Sequence, residues 1–330
     1  MVSLEDIELA QRRLRGVATR TPLLPCPRSG PERLLYFKPE SLQPVGSFKL
    51  RGAYNRISSL SEDEKGRGVV AHSSGNHAQG VAYAARELGV RATIVMPRGA
   101  SKVKVHRTAA LGAEIVWVGD GSEERRIRAE ELAAEHGYAM VPPYDDEAII
   151  AGQGTVGLEI LEDLPGVETA LVPVGGGGLI SGVAAAIKLN RPEVRVIGVE
   201  PELAADARAS LRSGRRVGIT GVQAGRTVAD GLRTQRLGEI TFSHIKRFVD
   251  DIVTVGEEEI LDAARRLAYE ARLVAEPSGA VAFAGYLFRQ DELPPTRQNV
   301  ALISGGNVEP RVLARILDES PFGKPPDDER

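Results

Sequence analysis

The chain has 330 residues, of which 42% are hydrophobic and 26% charged, and its net charge is -3. This is a globular composition with enough length for a substantial core; the charge gives no polybasic signal for nucleic acid or an anionic membrane, and no apolar run is long enough to span a bilayer. Cys26 is the only cysteine, which excludes an intrachain disulfide, and the acidic, amphipathic residues 1–8 lack the basic region and apolar core of a secretory signal, so a cytoplasmic location is expected.

Along the chain, an amphipathic helix is predicted over 5–14. The apolar run Gly68-Val69-Val70-Ala71-His72 reads as a strand, followed by Ser73-Ser74-Gly75-Asn76 and a helix over 78–88. A strand over 92–96 stops at Pro97, a helix covers 102–111 and a strand 114–118. A helix over 123–135 and a strand over 138–141 close this first series. The second series opens with a helix over 155–164. It continues with an apolar strand over 169–174, a run of four glycines, a helix over 180–189 and a strand over 194–199. A strand over 252–255 leads into a helix over 257–272, and a buried strand over 299–303 comes last. The rhythm predicts an α/β fold of two units with parallel sheet covered by helices, the ligand lying between them at the carboxyl ends of strands. The Pro- and charge-rich tail after Pro321 is expected to fray.

Four segments carry chemistry. Val172-Pro173-Val174 runs into Gly175, Gly176, Gly177 and Gly178, and a helix pattern follows at once. A helix N-terminus presents unpaired N–H groups and positive potential, and glycines let several amides converge on one anion, so this is a phosphate cradle. It is neither a Walker loop, since no Gly-Lys-Ser/Thr follows, nor the dinucleotide fingerprint, whose last glycine would fall at Ile180 or Ser181. Lys49 sits between Phe48 and Leu50 with Gly46 and Gly52 flanking; burial there would lower its pKa and supply a free amine, whereas an exposed lysine would be a solvated charge. Ser73-Ser74-Gly75-Asn76-His77 fits both a carboxylate-binding loop and an ordinary helix cap, and His77 fits both a ligand contact and a packed structural histidine. Ser304 ends an apolar strand, where its hydroxyl can meet a ring nitrogen or simply sit in a turn.

Together these segments resemble the fold type II pyridoxal-phosphate enzymes, specifically the threonine dehydratase and serine racemase group. The carriers, in the family's order, are Gly46-Ser47-Phe48-Lys49-Leu50-Arg51-Gly52-Ala53, His72-Ser73-Ser74-Gly75-Asn76-His77-Ala78-Gln79-Gly80, Ala151-Gly152-Gln153-Gly154-Thr155, Pro173-Val174-Gly175-Gly176-Gly177-Gly178-Leu179, Glu276-Pro277-Ser278-Gly279-Ala280 and Ser304-Gly305-Gly306-Asn307. The resemblance implies two three-layer α/β/α domains with mostly parallel sheets, as in the tryptophan synthase β fold. The large cofactor domain would comprise 1–50 and 146–330, and the small domain 51–145 would carry the Ser-Ser-Gly-Asn-His loop. It implies that Lys49 holds pyridoxal 5'-phosphate as a Schiff base and removes the substrate's Cα proton. Phe48 would lie beside the ring, Asn76 would bond its phenolic oxygen, Gly175 to Gly178 would take its phosphate, and Ser304 would face its pyridine nitrogen. Gly231 and Glu276 would lie near the cofactor, and Ser73, Ser74, Asn76 and His77 would surround the substrate carboxylate.

A serine rather than a carboxylate at the pyridine nitrogen avoids full ring protonation and favours expulsion of a β-hydroxyl. The implied reaction is conversion of L-threonine or L-serine to a 2-oxo acid and ammonia, with 3-hydroxyaspartate as an alternative substrate. Ser74 matches the serine that racemases of this family use on the face opposite the lysine, so serine racemisation stays open. Tyr144 stands where eukaryotic racemases have asparagine. A β-replacement transferase is disfavoured, because such enzymes carry Thr-Ser-Gly-Asn-Thr at the carboxylate loop. Glu200, the Ala204 carbonyl and Asp206 resemble the family's divalent-metal site for Mg²⁺ or Ca²⁺, with two solvated acids as the alternative. Arg125 is a candidate for a second substrate carboxylate or a solvated helix charge. A homodimer is usual in this family, and no C-terminal regulatory domain is expected.

Overall fold

The computed structural model describes residues 1–73, 75–100, 102–119 and 121–318. Ser74 and the tail after Pro321 therefore lie outside the described residues. Among the described residues ten strands form two sheets: β1 (Leu24–Pro25), β2 (Leu34–Pro39), β3 (Val69–His72), β4 (Ala92–Pro97), β5 (Glu114–Val118), β6 (Ala139–Met140), β7 (Thr169–Pro173), β8 (Arg195–Pro201), β9 (Asp251–Val255) and β10 (Gln298–Ile303). The larger sheet has the order β1-β2-β10-β7-β8-β9 and the smaller β5-β4-β3-β6. Every pairing is parallel except that of β1 with β2. The fold is thus α/β with mostly parallel sheets, as the alternation of strand and helix signals predicts.

Strands β7 and β10 are apolar on both faces because helices cover both, which is how buried parallel strands read in sequence. One large core cluster packs the helices Glu147–Asp163 and Gly178–Asn190 on one face of the larger sheet. A second packs the helices Glu257–Arg266 and Pro277–Phe288 on the other face. A third lies under the smaller sheet. No helix among the described residues is long and apolar enough to cross a membrane.

Three boundaries differ from expectation for physical reasons. The helix predicted from 155 begins at Glu147, capped by the Asp146 side chain on the Ile149 amide. Its glycines are helical because neighbouring backbones leave no room for a side chain: a Cβ on Gly152 would lie 2.6 Å from the Arg51 carbonyl oxygen. The helix predicted over 257–272 stays α-helical only to Arg266, then widens into a π-turn over 267–271, and Arg272 terminates it at φ 58°. The helix predicted from 78 starts at Asn76, so that side chain leaves from its first turn. Helices Lys49–Ser58, Glu239–Phe248 and Pro277–Phe288 were not predicted; their short or glycine-bearing apolar stripes do not stand out as periodic runs.

Candidate active site

The carboxyl ends of β3, β7 and β10 converge on one cavity of about 710 Å³. This is where loops in open parallel sheets expose their groups. From the sequence candidates the cavity gathers Phe48, Lys49, Ser73, Asn76, His77, Gly175 to Gly178, Gly231, Glu276 and Ser304. Glu200, Ala204 and Asp206 lie elsewhere, after β8.

Lys49 is the first residue of the helix Lys49–Ser58. Its amine donates to the Pro143 carbonyl at 2.6 Å and lies 5.2 Å from the Phe48 ring centre. Desolvation lowers its pKa to about 8, so a free amine forms at modest pH. The turn is tied to β10's end, because the Phe48 amide donates to the Ser304 carbonyl and Ser47 bridges Gly305.

After β7 the glycine loop opens toward the cavity, and Gly178 begins the helix Gly178–Asn190. Gly177 has φ 93°, a conformation side chains disfavour. A Cβ on Gly176 would come 2.3 Å from the Tyr144 ring, and one on Gly175 2.9 Å from the Thr234 hydroxyl. The loop therefore exposes bare amides at a helix N-terminus, which is the chemistry an anion such as phosphate requires.

Opposite it, the Asn76 amide donates to Glu276 and its carbonyl accepts from Asn307 at 2.8 Å. Glu276 is 3% exposed; burial, and then the nearby Asp230 charge, push its pKa up to about 7. The His77 ring reaches the Val141 carbonyl at 2.8 Å, and burial followed by the Lys49 charge holds its pKa at about 3. It is a neutral imidazole whose Nε2 donates to Val141, which favours the packed alternative for this residue. Ser304 is 5% exposed, with its hydroxyl 3.5 Å from the Ser278 carbonyl. The Gly231 amide donates to the Ser278 hydroxyl at 2.8 Å.

Sequence reasoning missed several wall residues. Lys104 reaches across the cavity mouth to pair with Asp230, and Arg107 donates to Asn307 at 2.8 Å. Pro143 and Tyr144 form the wall facing Lys49 and the glycine loop. Position is the only sequence signal for Pro143, which follows β6 as the other loops follow their strands, whereas Tyr144 is also marked by standing where eukaryotic racemases have asparagine. Arg125 lines the cavity with His72 and is half-buried.

At the second candidate centre the alternative of two solvated acids is ruled out. Glu200 is 0% and Asp206 1% exposed. Glu200 accepts from the Ala207 and Arg208 amides at 2.9 and 2.7 Å, capping the helix Asp206–Ser213. Burial, and for Glu200 then the Asp206 charge, raises both pKa values, that of Asp206 to about 7. Asp206 Oδ2 is buried without a hydrogen-bond partner among the described residues. Two buried carboxylates with an unused oxygen suit a hard cation, although among the described residues no group of three or more metal-ligating side chains assembles.

The family described as "Pyridoxal-phosphate dependent enzyme" matches residues 14–305. The chain is 48% identical to L-threonine ammonia-lyase of Thermotoga maritima, over 97% of this chain and 79% of that protein. It is 42% identical to L-threo-3-hydroxyaspartate ammonia-lyase of Saccharomyces cerevisiae, over 94% of this chain and 95% of that protein. Among solved structures it is similar to maize serine racemase, with TM-score 0.90 and 36% identity over 95% of this chain and 96% of that one.

Proposed function

From the premise that the chain belongs to the pyridoxal-phosphate dependent enzymes, we propose that it is an ammonia-lyase converting L-threonine or L-serine to a 2-oxo acid and ammonia. The observation that carries this reading is a low-pKa lysine, Lys49, facing a four-glycine helix N-terminus across one cavity. When bound, pyridoxal phosphate supplies an electron-accepting ring that stabilises negative charge at the substrate's Cα.

The residues divide the remaining work. The amides of Gly175 to Gly178 would hold the phosphate, and Phe48 would pack beside the ring. Asn76, ordered by Glu276 and Asn307, would meet the ring's phenolic oxygen. Ser304 would offer a neutral hydroxyl to the ring nitrogen, and Gly231 supports the wall through Ser278. Ser73, Ser74, Asn76 and the backbone beside His77 hold the substrate carboxylate at the start of the helix Asn76–Glu87. Lys49, neutral above about pH 8, takes the Cα proton. The β-hydroxyl leaves with a proton as water, and hydrolysis then places oxygen at Cα and releases the nitrogen as ammonia.

The division into a large unit (1–50 and 146–330) and a small one (51–145) is supported by the two separate sheets. Glu200, Asp206 and the Ala204 carbonyl would hold Mg²⁺ or Ca²⁺ outside the cavity. A cytoplasmic homodimer completes the proposal. A second reading, elimination from 3-hydroxyaspartate, is favoured by Arg125 on the cavity wall.

Purified protein is expected to absorb visible light, and borohydride should leave the cofactor's mass on Lys49. Incubation with L-threonine, L-serine and 3-hydroxyaspartate, with 2-oxo acid and D-isomer both measured, separates the readings. Protein that cannot be reconstituted with the cofactor would sink all of them; D-serine without oxo acid would replace lyase by racemase.

A further inference from the structure

The segment after β6 touches three parts of the site through three consecutive residues. The Pro143 carbonyl accepts from the Lys49 amine. The Tyr144 ring and backbone lie against Gly176 and Gly178, where added Cβ atoms would come within 2.3 and 2.9 Å of it. The Asp145 carboxylate accepts from three consecutive amides, those of Glu239 at 2.9 Å, Ile240 at 2.9 Å and Thr241 at 3.1 Å. These are first-turn amides of the helix Glu239–Phe248, which otherwise has no side-chain cap. That helix returns to the glycine loop: the Thr241 hydroxyl donates to the Gly176 carbonyl at 2.8 Å, and a Cβ on Gly177 would come 2.9 Å from the Thr241 side chain.

We propose that Asp145 is a positioning residue that couples the place of the Lys49 amine to the shape of the phosphate loop. It does so by clamping the 143–145 segment onto the helix that holds Gly176. The inference rests on the functional reading above and goes beyond it, since Asp145 touches neither ligand. The arrangement explains two local sequence choices. Gly238 has an ordinary φ of -65°, so backbone conformation does not demand glycine, but a Cβ there would sit 2.1 Å from Asp145 Oδ1. The next residue, Asp146, is also a carboxylate, yet it serves a different helix by accepting from Ile149 and pairing with Arg56. A charged acceptor on helix-start amides is worth more than a neutral cap and is favoured by the helix dipole. Its loss is therefore felt at both ends of the clamp.

The test uses Asp145→Ala, Asp145→Asn and Gly238→Ala, with Asp146→Ala as the structural control. Two measurements accompany thermal melting. One is the affinity of apo-protein for pyridoxal 5'-phosphate by absorbance titration. The other is the pH midpoint of Lys49 acylation in apo-protein by mass spectrometry. Asp145→Ala and Gly238→Ala are expected to weaken cofactor binding by about tenfold or more, the scale of one charged hydrogen bond. They should also raise the Lys49 midpoint from about 8 toward the ordinary 10.5. Asp145→Asn, which keeps one oxygen for Ile240 and Thr241, should fall between these and the wild type. Asp146→Ala should lower the melting temperature and move neither readout. If Asp145→Ala fails to fold, Asp145→Asn and Gly238→Ala carry the comparison. Variants that melt earlier yet keep wild-type affinity and Lys49 midpoint would overturn the proposal. A wild-type protein that takes up no cofactor would instead overturn the functional reading, and the acylation arm would still decide the role of Asp145.

Discussion

Replacing Lys49 by methionine should make the apo-protein more stable at neutral pH while abolishing activity. The lysine's pKa falls from 10.5 to about 8 because burial penalises its charged form. A base with a lowered folded pKa weakens the fold most where both states are protonated, below pH 8, and not at all above pH 10.5. The difference of 10.5 and about 8 corresponds to about 3 kcal/mol at 1.36 kcal/mol per unit, an upper limit because the amine opens onto the cavity. Linkage leaves most of that penalty at pH 7 and about 1 kcal/mol at pH 10. Methionine has nearly the same length and no charge. It forfeits the bond to the Pro143 carbonyl, but that loss does not depend on pH. Urea unfolding of apo wild type and Lys49→Met at pH 7 and pH 10 isolates the titrating part as the change in their difference. A methionine advantage that shrinks by roughly 2 kcal/mol over this interval supports a lowered Lys49 pKa in the apo site. An advantage that stays constant, or grows, with pH refutes it.

Three further outcomes follow from the same geometry. Gly176→Ala places a Cβ 2.3 Å from the Tyr144 ring, so it should cost about 1–3 kcal/mol by overpacking and weaken cofactor retention, read by thermal melting and absorbance titration. Glu276 titrates at about 7 instead of 4.5 because it is buried. Its raised folded pKa means that its neutral form favours the fold below pH 4.5 and that this advantage is lost as pH rises through 7. Glu276→Gln should therefore gain up to about 3 kcal/mol on apo wild type between pH 4.5 and 8, measured by urea unfolding. Adding Mg²⁺ after chelation should raise the wild-type melting temperature but not that of Asp206→Asn, which loses the buried carboxylate with the unpartnered oxygen. Equal shifts in both proteins would speak for non-specific salt.

Much of the framework is legible from residue order because the parallel strands are buried on both faces and read as short apolar runs. β4, β7, β8, β9 and β10 are all legible this way, to within about two residues, whereas β5 reads as an apolar run although its Trp117 is exposed. Elements whose face is set by long-range contact were not legible. β2 contains Lys38, which would argue against a buried strand, yet it is 0% exposed because Glu159 pairs with it at 2.6 Å from another helix. Arg51, also within a recognised motif, is buried by bidentate pairs to Glu40 and Glu159. Local sequence cannot announce such compensation, because each charge is tolerable only once its partner has been brought beside it. The same limit applies to the site. The glycine run signalled an anion cradle through local chemistry alone. Lys49 became identifiable only together with the other motifs. Lys104, Pro143 and Asp145 could not be read at all, since each acts through a residue distant in sequence: Asp230, Lys49 and the helix after Gly238 respectively.

The charges around the cavity explain why one lysine can be kept reactive there. Lys104 is neutralised by Asp230 at the mouth, and His77 is held neutral by burial. Glu276 sits near its titration point, with its ionised form weakly populated below pH 7. Among the described residues no carboxylate pairs with the Lys49 amine, and desolvation is what lowers its pKa. A carboxylate beside Lys49 would raise that pKa again and cost it the free amine. Under the proposed function the compensating negative charge would arrive with the ligand, at the Gly175 to Gly178 amides and the start of the helix Asn76–Glu87. Under the proposed function those two helix starts would meet the anions with backbone dipoles, which add no further base or amine to the cavity.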